Sequence, residues 1–576
     1  MPISILPPEV LALVFHFLVL EELHCSRQGS REQDYQVLVR DLWDSREQDL
    51  GWIRVTHVCR FWRQVALDDS SLWSTISGNP TSTELISEML ARARDALLDI
   101  DIDAGAQSRK VLLMFPPHLH HTRKLRLYDQ FMIHPDILRS IYSREAPALE
   151  HFELEGSAAF PINLGGTTFF KGRVPRLRTL FLSHVPIPWS LIPRGQLTQL
   201  KIVLFNEVSI TGFRLAVESG DFNQLIDLLV NCPGLETLVL EHCLPSQLAQ
   251  FSHAQTIHLP RLSRLCLGGS SSRITNLMKM LKLPSSTTLH LRCISENTLA
   301  HSDRLLLPVV SAKLQSPASV EFQKLSATFS HSLSTDVSLK VTASTILPSS
   351  RSPQPQDFGG DMDGDAEFVL SFNGLRLGNH SDLLEEVCKM LPISNLEFLS
   401  IFSAYTGDPI NWVELFKRCT KITAIQAIGG GTSSFVRALT TPEATNTKPN
   451  KKGKQKRRDD RDSTLAQPGR STSLAADGPI FPKLTFLSLK RQDFAEGQHP
   501  LGNLFDVVER GLRQRRVAYK APLEMLHIDR CFISAQRAEA LQKLVQKFHW
   551  DQDVGFDEFD DFDYPPDFDH YGLDSD

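Results

Sequence analysis

The chain has no apolar run long enough to cross a bilayer. Its longest, VLALVFHFLVL at residues 10–20, falls well short of the roughly 20 residues a spanning helix needs. Cysteine is sparse and unpaired. The nine, at positions 25, 59, 232, 243, 266, 293, 388, 419 and 531, are scattered and include no C-x-x-C pair. That pattern argues against a disulfide scaffold or a zinc module and points to a reducing, intracellular compartment. MPISILPPEV, at the start, has no basic stretch ahead of its apolar residues, so no secretory signal is expected. Missing too are G-x-S-x-G, H-E-x-x-H and a convincing pair of acids. The expectation is a soluble cytoplasmic or nuclear protein, not an enzyme, with no cofactor and no metal.

Three stretches come near to known chemistry and miss it. DMDGDAE (361–367) has Ala366 and Phe372 where a calcium loop needs Gly and Glu. AIGGGTSSF (427–435) is glycine-rich but lacks the Lys-Ser/Thr of a phosphate-binding loop, and reads as a turn between a strand and a helix. HLHH (118–121) brings imidazoles together without Cys or carboxylates at ligand spacing, so a solvated loop is expected. HVCRFWRQVALDDSSLWSTI (57–76) places a His near a Cys. With 53–67 taken as one helix, however, His57 and Cys59 point to nearly opposite sides. Cys59 should then be a small buried hydrophobe.

Charge is unevenly distributed. Residues 551–576 hold eleven acids and no Lys or Arg, whereas 448–461 holds eight basic residues against two acidic. The remaining body is close to neutral, and nothing in it marks a nucleic-acid-binding face. The basic run has the composition of a nuclear-import signal, and equally of a solubilising loop. Residues 441–479 carry only Leu465 and Leu474 as large aliphatics and are expected to be a disordered insertion. The acidic, aromatic-spaced tail is expected to be solvated.

ILPPEVLALVFHFL (5–18) opens with two prolines, which a first helical turn tolerates. Leu11, Val14, Phe15 and Leu18 form one stripe; Val10, Leu13 and Phe17 form a second beside it. A helix this apolar must be covered on more than one side. The cluster it forms with WIRVTHVCRFWRQVAL and SLWSTI is too small to bury it alone.

LPPEVLALVFHFL, followed by VTHVCRFWRQVALDDSSLW, resembles the F-box, the helical module that docks on the Skp-family adaptor of cullin ubiquitin ligases. The resemblance covers 5–20 and 50–76. It implies that Leu6, Pro7, Val10, Leu11, Val14, Phe15, Leu18, Val58, Trp62 and Trp73 build the module's core and its adaptor face. It departs from the family in a polar insertion, 21–49, which is expected to be a surface excursion, partly helical around YQVLVRDLW. The large F-box families of fungi show similar insertions.

Beyond residue 81 a leucine rhythm begins. LETLVLEHC (235–243) fits L-x-x-L-x-L-x-x-C, and related strings start at 149, 177, 262, 396, 484 and 523. Several follow an amphipathic stretch: PDILRSIYSREAPA, FNQLIDLLVNCPG, SDLLEEVCKMLPIS and NWVELFKRCTK. One helix and one short parallel strand per unit, stacked side by side, describes a leucine-rich-repeat solenoid. The expected fold is therefore α/β: a small helical F-box over 1–80, then an irregular solenoid over 81–550, then the tail. Spacings of 28, 58, 27 and 134 residues between the strings at 149, 177, 235, 262 and 396 mark the irregularity. The middle, 290–380, shows no clear repeat, only plain strands at VSLKVTAST and AEFVLSFNG.

Within each string the alternating leucines point inward and their neighbours outward. A solenoid displays such outward positions in a row. His151, Glu153, Glu155, Phe181, Val239, Glu241, Lys490, His527 and Asp529 are accordingly the candidates for holding a protein target with some positive charge. The implied function is that of a substrate receptor, joined through the adaptor to a cullin. The rival is a scaffold with the same modules and no role in degradation.

Overall fold

The computed structural model describes residues 6–28, 51–78, 82–103, 109–128, 135–156, 169–204, 221–245, 256–295, 302–314, 321–331, 337–345, 366–375, 380–403, 410–440, 480–494, 503–517 and 519–552. The YQVLVRDLW segment, the basic run with its insertion, residues 361–365 and the tail from 553 lie outside them. The described residues fall into two compact units, one up to residue 314 with 366–374, the other 321–345 with 375–552.

The first unit begins with a helical cluster. Helix α1 (Pro8–Gln28) starts where Pro8 takes the first helical position, and Leu11 N–H donates to Pro7 O at 3.0 Å. It runs eight residues into the expected insertion. The single helix expected over 53–67 is instead two: a 3-10 helix (Gly51–His57) and α2 (Arg60–Asp68). Cys59 is extended, caps α2 by accepting from Trp62 N–H at 3.4 Å, and is exposed rather than buried. A 3.6-residue apolar period cannot separate one helix from two short ones in line, and a sulfur cap is outside the usual Ser/Thr/Asp/Asn signal. Asp69 then caps a second 3-10 helix (Ser70–Trp73), bonding Ser71 N–H at 3.0 Å.

The chain passes straight from Trp73 into a parallel sheet. Its strands are β1 (Thr75–Gly78), β2 (Leu98–Asp103), β3 (Thr122–Tyr128), β4 (His151–Glu155), β5 (Thr179–Ser183), β6 (Gln199–Val203), β7 (Thr237–Glu241), β8 (Arg264–Ser270) and β9 (Thr288–Ile294). Each pairs in parallel with the next, and β9 pairs in parallel with Phe368–Leu375. The register aligns one apolar row, Ile100–Leu125–Phe152–Leu180–Leu200–Leu238–Leu265–Leu289, and a second through Ile102, Leu127, Leu154 and Leu182. All of these are buried. At about 1.5–3 kcal/mol per buried aliphatic side chain, the rows hold the strands in register. Helices α3 (Thr83–Ala93), α4 (Pro135–Tyr142), α5 (Phe222–Val230), α6 (Ser271–Met280) and α7 (Ser302–Leu314) lie in the connections. β4 to β5 and β5 to β6 have only 3-10 turns among the described residues.

The second unit repeats this plan. An antiparallel pair, β10 (Lys324–His331) and β11 (Val337–Ser344), stands in the region without a repeat, and β10 continues in parallel onto β12 (Phe398–Ser403). Then follow β13 (Ala424–Ile428), β14 (Phe486–Lys490), β15 (Met525–Asp529) and β16 (Lys547–Trp550), each parallel to the one before. Helices α8 (His380–Met390), α9 (Trp412–Phe416), α10 (Ser433–Thr440), α11 (Leu504–Val517) and α12 (Ala535–Gln542) connect them.

Every leucine string found in the sequence lands on one of these parallel strands, and the four amphipathic stretches are helices. A recurrent turn follows the strands. His184, His242, Arg491 and Arg530 all take φ near +50°, a left-handed conformation that costs side-chain-bearing residues energy. The first three donate their N–H to carbonyls of the next strand, at Val203, Gly268 and Asp529. The ninth position of the frame ties neighbouring strands together within each unit: Cys243 Sγ donates to Ile202 O, Cys531 Sγ to Leu489 O, and Gln492 Nε2 to Gly429 O. Burial pushes the Cys531 thiol up to about 12, so it stays a neutral donor.

Candidate functional site

The helical cluster divides its apolar residues between two roles. Leu11 and Phe15 are buried, Phe15 packing on half-buried Trp62 with ring centroids 5.3 Å apart. Trp73 is also buried, edge-on to Trp52 at 5.1 Å, its indole N–H donating to Ala66 O and its ring beneath the Arg92 guanidinium. His16 Nε2 lies 3.0 Å from Asp69 Oδ2 and 3.1 Å from Ser71 Oγ, which clamps α1 to the turn after α2.

The other apolar residues face outward. Val10, Leu13, Val14, Phe17 and Leu18 occupy an arc of roughly 140° on α1, at about 100° per residue, and are exposed, Phe17 at 70%. Val58 (60%) and Phe61, around the start of α2, are exposed as well. Seven of the thirteen exposed large apolar side chains among the described residues thus belong to this cluster. Of the residues implied by the resemblance, Leu11, Phe15, Trp62 and Trp73 form the interior. Val10, Val14, Leu18 and Val58 face out, as does Pro7, while Leu6 is half-buried. Phe61 was hidden by the single-helix reading, which placed no break at Cys59.

The second candidate surface is the sheet face opposite the apolar rows of the first unit. Register partners across it form the row Asp101–Arg126–Glu153–Phe181–Lys201–Val239–Cys266–His290. Glu153 is buried rather than displayed, because Arg126 Nε reaches it at 2.5 Å and His151 Nε2 at 3.3 Å. Burial alone would raise its carboxyl, but the His151 hydrogen bond and the Arg126 charge hold it below the usual range. Arg126 also reaches Asp101 at 3.3 Å. Lys201 lies over the Phe181 ring at 5.9 Å, and Arg292 pairs with Glu241 at 3.3 Å. Glu155 differs. Burial, then the Glu153 charge, raise its carboxyl to about 7, and among the described residues it has no cation.

The second unit has its own row, Ser326–Ser400–Gln426–Ser488–His527–His549. His527 is buried and bonded through Nδ1 to Ser488 Oγ at 3.1 Å. Burial, then the neighbouring His549, lower it to about 4, so it is neutral at physiological pH. Lys490 and Asp529, register partners, form an ion pair at 3.1 Å. Phe398, Ala424 and Phe486 make an apolar patch beside that row, with Met525 against it.

On the second unit's face Ser488 Oγ lies within hydrogen-bond reach of His527, the spacing a nucleophile and its base need, but both side chains are buried. The HLHH segment is a 3-10 helix, not a solvated loop: His121 is buried, its Nδ1–H donating to Ala96 O at 2.7 Å and its Nε2 lying 3.1 Å from His118 Nδ1. AIGGGTSSF is the expected turn, running from β13 through Gly429 (φ 86°) into α10. A recess of about 610 Å³ on the first unit is lined by Phe169, Val174 and Ile192, and its arginines, Arg173 and Arg194, already pair with Glu145 and Asp227. Among the described residues no cluster of three or more His, Cys, Asp or Glu has metal-site geometry, and no helix is long and apolar enough to cross a membrane.

No protein-family model and no curated protein matches the chain.

Strands β2, β3, β6 and β13 share the frame with other residues at some of its leucine positions. Leu197-x-x-Leu200-x-Ile202 and Ile422-x-x-Ile425-x-Ala427 carry Ile or Ala where the frame has Leu. With them come Asp101, Arg126 and Lys201, which complete the polar row.

Proposed function

We propose that the chain is the substrate receptor of a Skp–cullin–F-box ubiquitin ligase, its helical cluster docking the adaptor and its leucine-rich repeats holding a protein target. One observation carries this reading: the outward arc of Val10, Leu13, Val14, Phe17 and Leu18, with Val58 and Phe61, on a small cluster whose interior is already filled. An exposed apolar patch of this kind marks a protein interface. The receptor's contribution is proximity, raising the target lysine's effective concentration at a ubiquitin-charged partner. The test is a pull-down of purified Skp-family adaptor by wild type and by a Phe17→Asp, Val58→Asp variant, both checked by circular dichroism. Wild type should capture the adaptor and the variant should not. Equal capture, or none by wild type, would sink the reading.

A further inference from the structure

We propose that Glu155 and Ser183, at the ends of β4 and β5, form a receptor for a primary ammonium group, supplied by a lysine side chain of the bound target. This deepens the receptor reading and rests on it only for the source of the lysine.

Two independent features meet at this point. The Glu155 carboxylate stands among acids, yet its neighbours already have cations: Glu153 and Asp101 share Arg126, and Glu241 has Arg292. Glu155 alone in that group lacks a cation among the described residues. Its register partner on the next strand is Ser183, fully buried, whose Oγ has no hydrogen-bond partner among the described residues. Buried polar groups are normally satisfied, and one that is not calls for a missing partner. Strand alternation puts both side chains on the same face, with Phe181 and Thr179.

The chemistry of the missing group follows. It must neutralise a carboxylate and donate to a hydroxyl oxygen one strand away, a spacing of roughly 4.8 Å. An ammonium is a compact charge with three donors and can do both, whereas a guanidinium is suited to a single bidentate carboxylate. Tyr128, on the other side of Glu155, is kept protonated by burial and by the nearby carboxylates, so it offers a neutral hydroxyl. Among the described residues, the charged or titratable groups facing Glu155 are Arg126 and Tyr128 on β3, Asp101 on β2, and Glu153 and His151 on β4. Lys201 on β6 is over the Phe181 ring. Because Glu155 titrates at about 7 when empty, lysine capture should release a proton and weaken as pH falls below that value.

The experiment uses the full chain and a synthetic nonapeptide library with lysine fixed at the centre, matched to one with norleucine there. Fluorescence polarisation should show wild type preferring lysine by about tenfold or more, the scale of one charge-assisted hydrogen bond. Glu155→Gln should abolish the preference, Ser183→Ala should reduce it, and Glu145→Gln, whose carboxylate already pairs with Arg173, should keep it. Between pH 7.5 and 6 the wild-type preference should fall. No preference in wild type, or an undiminished one in Glu155→Gln, overturns the proposal. Adaptor capture by the same samples reports separately on the ligase reading, so the two can fail independently.

Discussion

Phe15 of α1 and Trp62 of α2 meet with ring centroids 5.3 Å apart and planes tilted by 58°. This one contact makes two sequence segments, separated by a long insertion, into a single platform. Phe15→Ala should cost about 3–5 kcal/mol, as large buried aromatics do. Phe17, two residues on and exposed, should cost within about 0.5 kcal/mol when made Asp. Chemical denaturation of both variants measures the contrast, and equal losses would mean that the exposed arc is also structural.

Glu155→Gln should stabilise the protein, and more at pH 8 than at pH 5. The folded-state carboxyl titrates at about 7, above its ordinary 4.5. The unfolded chain therefore loses its proton first, and stability declines as pH rises from about 4.5 through 7. The amide removes that decline. A urea midpoint that moves equally at both pH values would contradict the assignment.

His527 works in the opposite direction. Its imidazole titrates at about 4 when folded against an ordinary 6.5, so the unfolded chain gains protons first as the solution is acidified. Stability is lost as pH falls from about 6.5 to 4. His527→Asn should be the less stable protein at pH 7 and close that gap by pH 4.5. Parallel stability curves for the two proteins would exclude His527 as a source of acid sensitivity.

Charge reversal separates two glutamates that look alike in sequence. Glu153→Lys would set a second cation beside Arg126 in a buried position, at a cost of about 3–5 kcal/mol. Glu241→Lys breaks a longer pair with a half-exposed arginine and should cost less than about 1 kcal/mol. Differential scanning calorimetry of the single variants decides it. The sequence places both on outward strand positions, where substitutions usually cost little.

Deleting 441–479 should leave the melting temperature nearly unchanged. β13 and β14, on either side of it, are held by their own ladder and by Gln492 bridging to Gly429, and shortening a long loop changes closure entropy only slowly. A drop of many degrees would show that the segment is part of the fold.

What could be read in advance follows from what repeats. Leu238 and Leu240 announce a strand because alternation is a two-residue property, and Phe222–Val230 announces a helix because its apolar face recurs at three and four. Ile202 and Ala427 do the same work with residues outside the leucine frame, which is why their strands stayed hidden. The break at Cys59 is a backbone event with no hydrophobic signature. The ion pairs of Glu153 and Glu241 depend on Arg126 and Arg292, 27 and 51 residues away in sequence, and only strand register brings them together.

Among the described residues each strand from β4 to β9 pairs only with its neighbours on either side, and the chain between successive strand starts measures 28, 20, 38, 27 and 24 residues. Under tension applied along the sheet, such a ladder is loaded one rung at a time. Each rupture would free a length of chain set by its own connection, at roughly 3.4 Å per residue. The extension steps should therefore be unequal and individually recognisable, the 38-residue one the longest, so that a single-molecule pulling trace records the order in which the strands let go.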